Sequence, residues 1–131
     1  MKLYHGSPFK LKILKPSNPK GINKFENKSG VFLTKTFLHA ALYAIGKTLK
    51  GKAIFGVSEQ RLVILGNLKP KAGYVYEVEV KSPIRGPRGQ YYFEEAINPL
   101  GIKKVFPKNY VKNIFKVKDK NELLHLLKKK S

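Results

Sequence analysis

The sequence predicts an α+β fold, built from several short strands and a few helices. Short apolar runs bounded by Gly, Pro and Asn recur along the chain and are typical of strands. These runs occupy residues 3–5, 30–34, 52–57, 62–65 and 74–80. Apolar residues at helical spacing over 37–49 and 120–130 favour two helices that each bury one face. The length of 131 residues suits one modest core, so we expect a single domain spanning 1–131.

Charge is the strongest global feature of the chain. Lys and Arg total 27 against 8 Asp and Glu, a formal net charge of +19. Such an excess favours polyanions, and DNA or RNA is the partner we expect from it. A competing explanation is the Lys-rich, Cys-free composition common in proteins from hot environments. That compositional trend explains the abundance of Lys but not the shortage of acidic residues.

Composition also excludes several classes of site. The absence of Cys rules out disulfides, thiolate nucleophiles and Cys-based zinc sites. Three His residues without a carboxylate cluster predict no metal site. No apolar run approaches the length of about 20 residues that a membrane span needs, and the N-terminus lacks a signal-peptide pattern. We therefore expect a cytoplasmic protein, and the oligomeric state is not predicted.

The first candidate site residues lie in 3–8, LYHGSP. Two residues suited to a strand precede His5, and Gly6, Ser7 and a proline break the strand at once. The imidazole would lie at the strand's end, with a flexible glycine and a hydroxyl beside it. The alternative is an edge strand followed by an ordinary turn.

The second candidate stretch is a strand over 30–34 followed by a helix from 37, which Thr36 would cap. Tyr43 falls near the edge of the helix's apolar stripe, so it is either a half-buried aromatic or a ligand contact. Before this stretch, alternating residues over 9–13 favour a short strand, and the rest of 9–29 is either a binding loop or a lysine-rich surface loop.

The third candidate stretch is 91–97, in which three aromatics precede Glu94 and Glu95. On an extended chain, adjacent residues point to opposite faces, so one carboxylate would face a pocket and the other solvent. A register shift of one residue would exchange them, so both remain candidates. Glu77 and Glu79, on the clearest predicted strand, are more typical of surface pairs with Lys.

Together the three stretches resemble the ADP-ribosyltransferase fold, most closely the diphtheria-toxin-like branch that includes the poly(ADP-ribose) polymerases. Residues 4–7, YHGS, are similar to the His-Gly-Ser/Thr motif that ends the first strand of that branch. Residues 30–43 are similar to its second motif, with Phe32 where the polymerases usually carry Tyr. Residues 92–94, YFE, are similar to its third motif, an aromatic followed by the catalytic Glu.

The resemblance implies split antiparallel β-sheets with a few flanking helices, and NAD as the molecule bound. It implies that His5 bonds a ribose hydroxyl and fixes the adenosine end, that Ser7 supports the nicotinamide side, and that Gly6 is also a cofactor-binding residue. Rifampin-modifying and RNA 2'-phosphotransferase relatives share this fold at a small size.

The resemblance also implies that Phe32 and Tyr43 sandwich the nicotinamide ring. It makes Glu94 the catalytic carboxylate, with His5 and Tyr43 as the other members of the catalytic set. The expected activity is transfer of ADP-ribose from NAD to an acceptor, possibly nucleic acid, and the sequence does not say whether one unit or a chain is added. The alternative is a non-catalytic nucleic-acid-binding protein on the same scaffold, and a structural or partner-binding role is a third hypothesis.

Overall fold

The computed structural model describes residues 1–16, 30–56, 60–86 and 89–128, apart from the side chains at 124 and 126–128. Its helices and sheets confirm the α+β class. The elements in chain order are β1 (Lys2–Ser7), β2 (Val31–Thr34), α1 (Phe37–Lys47), β3 (Ala53–Gly56), β4 (Arg61–Leu65), β5 (Gly73–Glu79), β6 (Ile84–Arg85), β7 (Gln90–Phe93), β8 (Gly101–Val105), α2 (Pro107–Tyr110), β9 (Asn113–Val117) and α3 (Lys120–Lys128).

The larger sheet has six strands in the order β6-β7-β2-β1-β5-β8, and its pairs are antiparallel. β1 lies at its centre and pairs with β5 along its whole length, from Lys2 opposite Glu79 to Ser7 opposite Tyr74. Its pairing with β2, within these two described strands, is limited to Tyr4 opposite Thr34. β1 and β2 therefore separate towards the C-terminal end of β1.

The smaller sheet has the order β3-β4-β9. β3 and β4 are antiparallel, whereas β4 and β9 are parallel, with Val63 opposite Phe115. The parallel β4–β9 pair departs from the expected antiparallel pattern. A parallel pair needs a long connection, and the elements β5 to α2 lie between β4 and β9 in the chain.

Helix α1 begins at its predicted cap. The Thr36 side-chain oxygen accepts a hydrogen bond from the His39 backbone N–H at 3.2 Å. This bond satisfies one of the donors left free at a helix N-terminus, which explains why the helix begins here.

Two glycines let α1 lie directly on the larger sheet. A Cβ on Gly6 would meet the carbonyl oxygen of Ala40 and lie 2.9 Å from the backbone nitrogen of Ala44. A Cβ on Gly73, across the β1–β5 pair, would lie 2.7 Å from the Ala44 Cβ. The helix backbone therefore contacts β1 and β5 without intervening side chains, which fixes its position over the sheet.

The larger sheet is covered on both faces. Val75 packs against the alanines and Ile45 of α1, whereas its neighbours Tyr76 and Val78 belong to the core on the opposite face. The opposite-face core is made of Leu3, Leu14, Val31, Leu33, Tyr76, Val78, Val80, Tyr91 and Ile97. The clearest strand in the sequence, β5, thus becomes a strand buried on two sides.

The segment after β1 is not the predicted strand. Phe9 is 66% exposed and Leu11 39% exposed, whereas Leu14 is buried and exchanges backbone hydrogen bonds of 2.9 and 2.8 Å with Ile97. The Tyr76 hydroxyl holds the segment, since it donates to the Phe9 carbonyl oxygen at 2.8 Å and accepts from the Leu11 N–H. The prediction of a strand over 9–13 is wrong, because the Phe9 carbonyl oxygen and the Leu11 N–H are hydrogen-bonded to the buried Tyr76 side chain and not to a neighbouring strand. The rest of the predicted loop, 17–29, lies outside the described residues.

Of the two acidic residues on β5, Glu77 makes the predicted surface pair with a lysine, whereas Glu79 pairs with the N-terminal amine. Lys2 Nζ lies 2.9 Å from Glu77, and the N-terminal amine lies 3.4 Å from Glu79. At the other end of the chain, α3 confirms the predicted helix, in which Leu123 is buried; the other inward leucines predicted there lie outside the described side chains.

Candidate functional site

The end of β1, the start of β2 and the end of β7, which carry or adjoin the three candidate motifs, lie at one edge of the larger sheet. β1 and β7 are both antiparallel to β2, so they run in the same direction. Their C-terminal ends, at Ser7 and Phe93, therefore lie at the same edge, with the start of β2 between them. The start of β2 and the gap that opens between β1 and β2 separate these two ends. No local sequence pattern indicates this arrangement, because it follows from the order of the strands in the sheet.

His5 lies where β1 and β2 separate. Its Nδ1 is 2.6 Å from the Phe32 carbonyl oxygen. Because a carbonyl oxygen can only accept, Nδ1 carries the proton and donates it. Burial, with a smaller contribution from the positive charge of Lys47, lowers the pKa of His5 to about 4, although the Phe32 bond acts in the opposite direction. The imidazole is therefore neutral at physiological pH, and its Nε2 is an acceptor.

Gly6 and Ser7 are both buried beside this imidazole. The Gly6 carbonyl oxygen accepts a hydrogen bond from Lys47 Nζ at 3.0 Å, and the Ser7 hydroxyl accepts from the Phe9 N–H at 3.1 Å. The missing side chain of Gly6 admits α1 and not a ligand. A ligand at Gly6 would have to contact its backbone.

Lys47, at the last turn of α1, is a site residue that sequence reasoning missed. Its side chain is exposed over part of its surface, and its Nζ donates to the Gly6 carbonyl oxygen at the end of β1. Burial lowers the pKa of Lys47 to about 8. In the sequence it is an ordinary lysine at a helix C-terminus, a position where cations are favoured anyway.

Tyr43 belongs to a row of side chains along α1. His39, Tyr43 and Lys47 are spaced four residues apart and so lie on one side of the helix. The rings of His39 and Tyr43 are stacked with centroids 6.3 Å apart. The Tyr43 hydroxyl accepts a hydrogen bond from Gln90 Nε2 at 2.8 Å, which ties the helix to the start of β7.

The two predicted nicotinamide-stacking residues each have another aromatic neighbour. Phe32 lies 6.1 Å from Tyr92, centroid to centroid and tilted by 33°, and Tyr43 stacks on His39. Phe32 and Tyr92 are opposite each other in the β2–β7 pair. A ring bound between Phe32 and Tyr43 remains a prediction.

Glu94 and Glu95 are both exposed and lie just beyond β7. Together with Ser82, Ile84 and Phe93 they line an open depression of about 380 Å³. The expected division of the two carboxylates between opposite faces is wrong, because the backbone bends after Phe93 and strand alternation ends there. Among the described residues, His5, Phe32 and Tyr43 do not line this depression.

Neither a metal site nor a membrane-spanning helix is found in the ranges that the structure describes. No group of three or more His, Cys, Asp or Glu side chains there is placed to hold a metal ion. No helix in those ranges is long and apolar enough to cross a membrane.

Comparison of the chain with protein-family models, curated proteins and solved structures found no match. The resemblance to ADP-ribosyltransferases therefore rests on the three sequence motifs.

Proposed function

We propose that the chain is an NAD-dependent ADP-ribosyltransferase with the split-sheet fold of that family. The observation that supports the proposal is that strand ends carrying or adjoining three motifs, distant in sequence, lie at one edge of the larger sheet. The His-Gly-Ser motif ends β1, the aromatic motif begins β2, and Glu94 follows β7.

The protonation state of His5 suits a ribose hydroxyl. Its Nδ1 donates to the Phe32 carbonyl oxygen, which leaves Nε2 to accept a hydrogen bond from a ligand hydroxyl. A pKa near 4 keeps this acceptor available throughout the physiological range. A charged imidazole could not accept, so the shift supports the role.

The aromatic residues of the edge suit the nicotinamide ring. Phe32 and Tyr43 are both half-buried, so each has ring surface that a flat heteroaromatic can cover. In this proposal the nicotinamide lies beside these rings, with the adjoining ribose directed along β7 towards Glu94.

Glu94 is proposed to stabilise the transition state of transfer. Breaking the bond between nicotinamide and ribose develops positive charge on the ribose, which a fixed carboxylate stabilises. The same carboxylate can accept the proton of the attacking acceptor group. Because Glu95 lines the same depression, it is the matched control for Glu94.

The proposal is tested by nicotinamide release from NAD, followed by chromatography, with protein, DNA and RNA offered as acceptors. We expect release by the native chain and a loss on the order of a hundredfold or more in Glu94→Gln. Glu95→Gln should retain most of the activity. No release with any acceptor, together with no NAD binding, would reject the proposal, and equal losses in the two variants would remove the assignment of Glu94.

A second candidate function, nucleic-acid binding without catalysis, is favoured by one surface. Residues 96–118 contain no acidic residue and six lysines. Exposed apolar side chains lie among these lysines, including Phe106 at 43% and Phe115 at 41% exposure. Lys104 Nζ lies 5.5 Å from the centroid of the Phe106 ring. Cations interleaved with exposed aromatic rings suit the phosphates and bases of a single strand.

A further inference from the structure

The edge of the larger sheet at which β1 ends continues through β5 to the end of β8. β1 and β8 are both antiparallel to β5, so they run in the same direction and end at the same edge. Tyr74, at the start of β5, is opposite Ser7 on one side and opposite Lys104 on the other. Because each step is one strand spacing, the Cα atoms of Ser7 and Lys104 lie about 10 Å apart.

These side chains share one face of the sheet. Tyr74 packs against the core cluster that contains Tyr76, on the face away from α1. Residues directly opposite each other in antiparallel strands point to the same face, so Ser7 and Lys104 belong to that face too. The Phe106 ring lies beside them, with its centroid 5.5 Å from Lys104 Nζ. We call Ser7, Tyr74, Lys104 and Phe106 the edge row.

The β8 end of the edge row is open to solvent and positively charged. Lys104 is exposed, Phe106 is 43% exposed and Tyr74 is half-buried. An ammonium group between two aromatic rings suits a single strand of nucleic acid, since the rings stack on bases and the cation pairs with a phosphate. The six lysines and the lack of acidic residues in 96–118 favour an anionic partner, and the net charge of +19 disfavours a second copy of the chain.

We propose that the edge row binds a single-stranded nucleic acid and that this strand is the acceptor of ADP-ribose. The assignment rests on the proposed function and names its acceptor class. A strand held at Lys104 and Phe106 can run past Tyr74 to Ser7, where the His-Gly-Ser motif ends. In the transfer, an oxygen or nitrogen of the strand bonds to the ribose carbon of NAD, nicotinamide leaves with the electron pair of the broken bond, and the acceptor's proton goes to Glu94.

The first measurement is the affinity of the full chain for fluorescent single-stranded DNA and RNA of mixed sequence and about 12 nucleotides, followed by anisotropy. A β8 variant, Lys104→Met with Phe106→Leu, removes one charge and one ring from the edge row. A β9 variant, Lys116→Met with Phe115→Leu, removes the same two groups from the smaller sheet, where Phe115 is 41% exposed. We expect the β8 variant to bind on the order of tenfold or more weakly and the β9 variant to stay much closer to the native affinity. Lys104→Met alone should reproduce part of the loss.

The second measurement is mass spectrometry of the same oligonucleotides after incubation with NAD. We expect the native chain to attach ADP-ribose to one of them. The β8 variant should attach less at low oligonucleotide concentration and recover at saturating concentration, because the edge row acts on binding of the acceptor. Polyglutamate should displace the oligonucleotide poorly, since it carries charge but no bases to stack.

The outcomes separate the acceptor assignment from the proposed activity. Nicotinamide release with no ADP-ribose on the DNA or RNA would overturn the acceptor assignment alone. Equal weakening of binding in the β8 and β9 variants, or efficient displacement by polyglutamate, would overturn the edge row as the binding surface, since either would show a general effect of charge. Absence of nicotinamide release with every acceptor would reject the proposed activity and the acceptor assignment together.

Discussion

The His5 imidazole donates from Nδ1 to the Phe32 carbonyl oxygen over 2.6 Å, across the gap where β1 and β2 separate. The bond replaces a backbone pair that the diverging strands no longer make. It fixes the proton on Nδ1 and leaves Nε2 outside this contact, while burial keeps the ring neutral. Stability and ligand recognition therefore depend on the same side chain.

We predict that the protein loses stability as the pH falls from about 6.5 towards 4. The pKa of His5 is about 4 in the folded chain and 6.5 unfolded, so the unfolded chain binds more protons in this window. The free energy of unfolding should fall by at most about 3 kcal/mol from this group. Burial also lowers the pKa of His39, which adds a contribution of the same sign.

The variants His5→Asn and His5→Ala separate the charge from the hydrogen bond. The Asn amide can donate to the Phe32 carbonyl but does not titrate, so denaturation at pH 4.5 and 7.5 should show a weaker pH dependence than the native chain. His5→Ala leaves the carbonyl unpaired and should be less stable than the native chain at pH 7.5, by about 1–3 kcal/mol. At pH 4.5 this deficit should shrink or disappear, because the buried imidazole of the native chain then costs stability that alanine does not. An identical pH dependence in His5→Asn and the native chain would contradict the role of this imidazole.

We predict that Tyr43→Phe destabilises the chain by about 1–2 kcal/mol. The substitution removes the acceptor of Gln90 Nε2, and the Oε1 of the same amide is already buried without a hydrogen bond. Replacing both groups, in Tyr43→Phe with Gln90→Leu, should recover part of the loss in chemical denaturation. Nicotinamide release should survive Tyr43→Phe, which keeps the ring, and fail in Tyr43→Ala; survival in both would exclude stacking on Tyr43.

We predict that Gly6→Ala costs about 3 kcal/mol, because the new methyl group would force α1 away from β1. Thermal denaturation should show a lower Tm by roughly 10 °C. Gly101→Ala is the matched control, since its Cβ would approach nothing closer than Glu77 Oε2 at 3.9 Å. A similar Tm for both variants would mean that α1 does not rest on Gly6.

We predict that single-stranded nucleic acid, if bound, contacts the surface of residues 96–118. Fluorescence anisotropy with a labelled oligonucleotide between 50 and 200 mM salt should show a steep salt dependence. Removing Lys103 and Lys104 together should reduce the slope of log affinity against log salt by about 1.4, or 0.7 for each lost phosphate contact. The pair Lys10 and Lys12 is the control of equal charge, and an equal effect there would assign binding to net charge alone. Glu94→Ala should leave this binding intact.

Local sequence patterns predict where the helices and strands lie better than they predict which of these elements contact each other. The cap at Thr36, the apolar periodicity of α1 and the run at β5 are set by residues close together in sequence, and the structure confirms them. The path of residues 9–14 is set by Tyr76 and Ile97, which are distant in sequence, and no local signal reports it. The parallel pairing of β4 with β9 is non-local in the same way.

In the candidate site, too, the local sequence marks some residues, whereas the environment of others depends on contacts that are distant in sequence. His5 stands out locally, because a strand is broken immediately after it. Lys47 does not, since its environment exists only once α1 has docked on Gly6. Gln90 begins a strand as an ordinary polar residue, and its importance follows from the helix above it. The bend after Phe93 likewise overrides the alternation that the sequence predicts for Glu94 and Glu95.

The most direct measurement of the central claim is an amide NMR titration of the isotope-labelled chain with NAD. At 14.9 kDa, the chain is of a size suited to this method. We predict chemical-shift changes in two separate stretches at once, around His5–Ser7 and around Phe93–Glu95, together with Lys47. Changes confined to one stretch, changes only in residues 96–118, or no changes at millimolar NAD would contradict a single nucleotide site at this edge of the sheet.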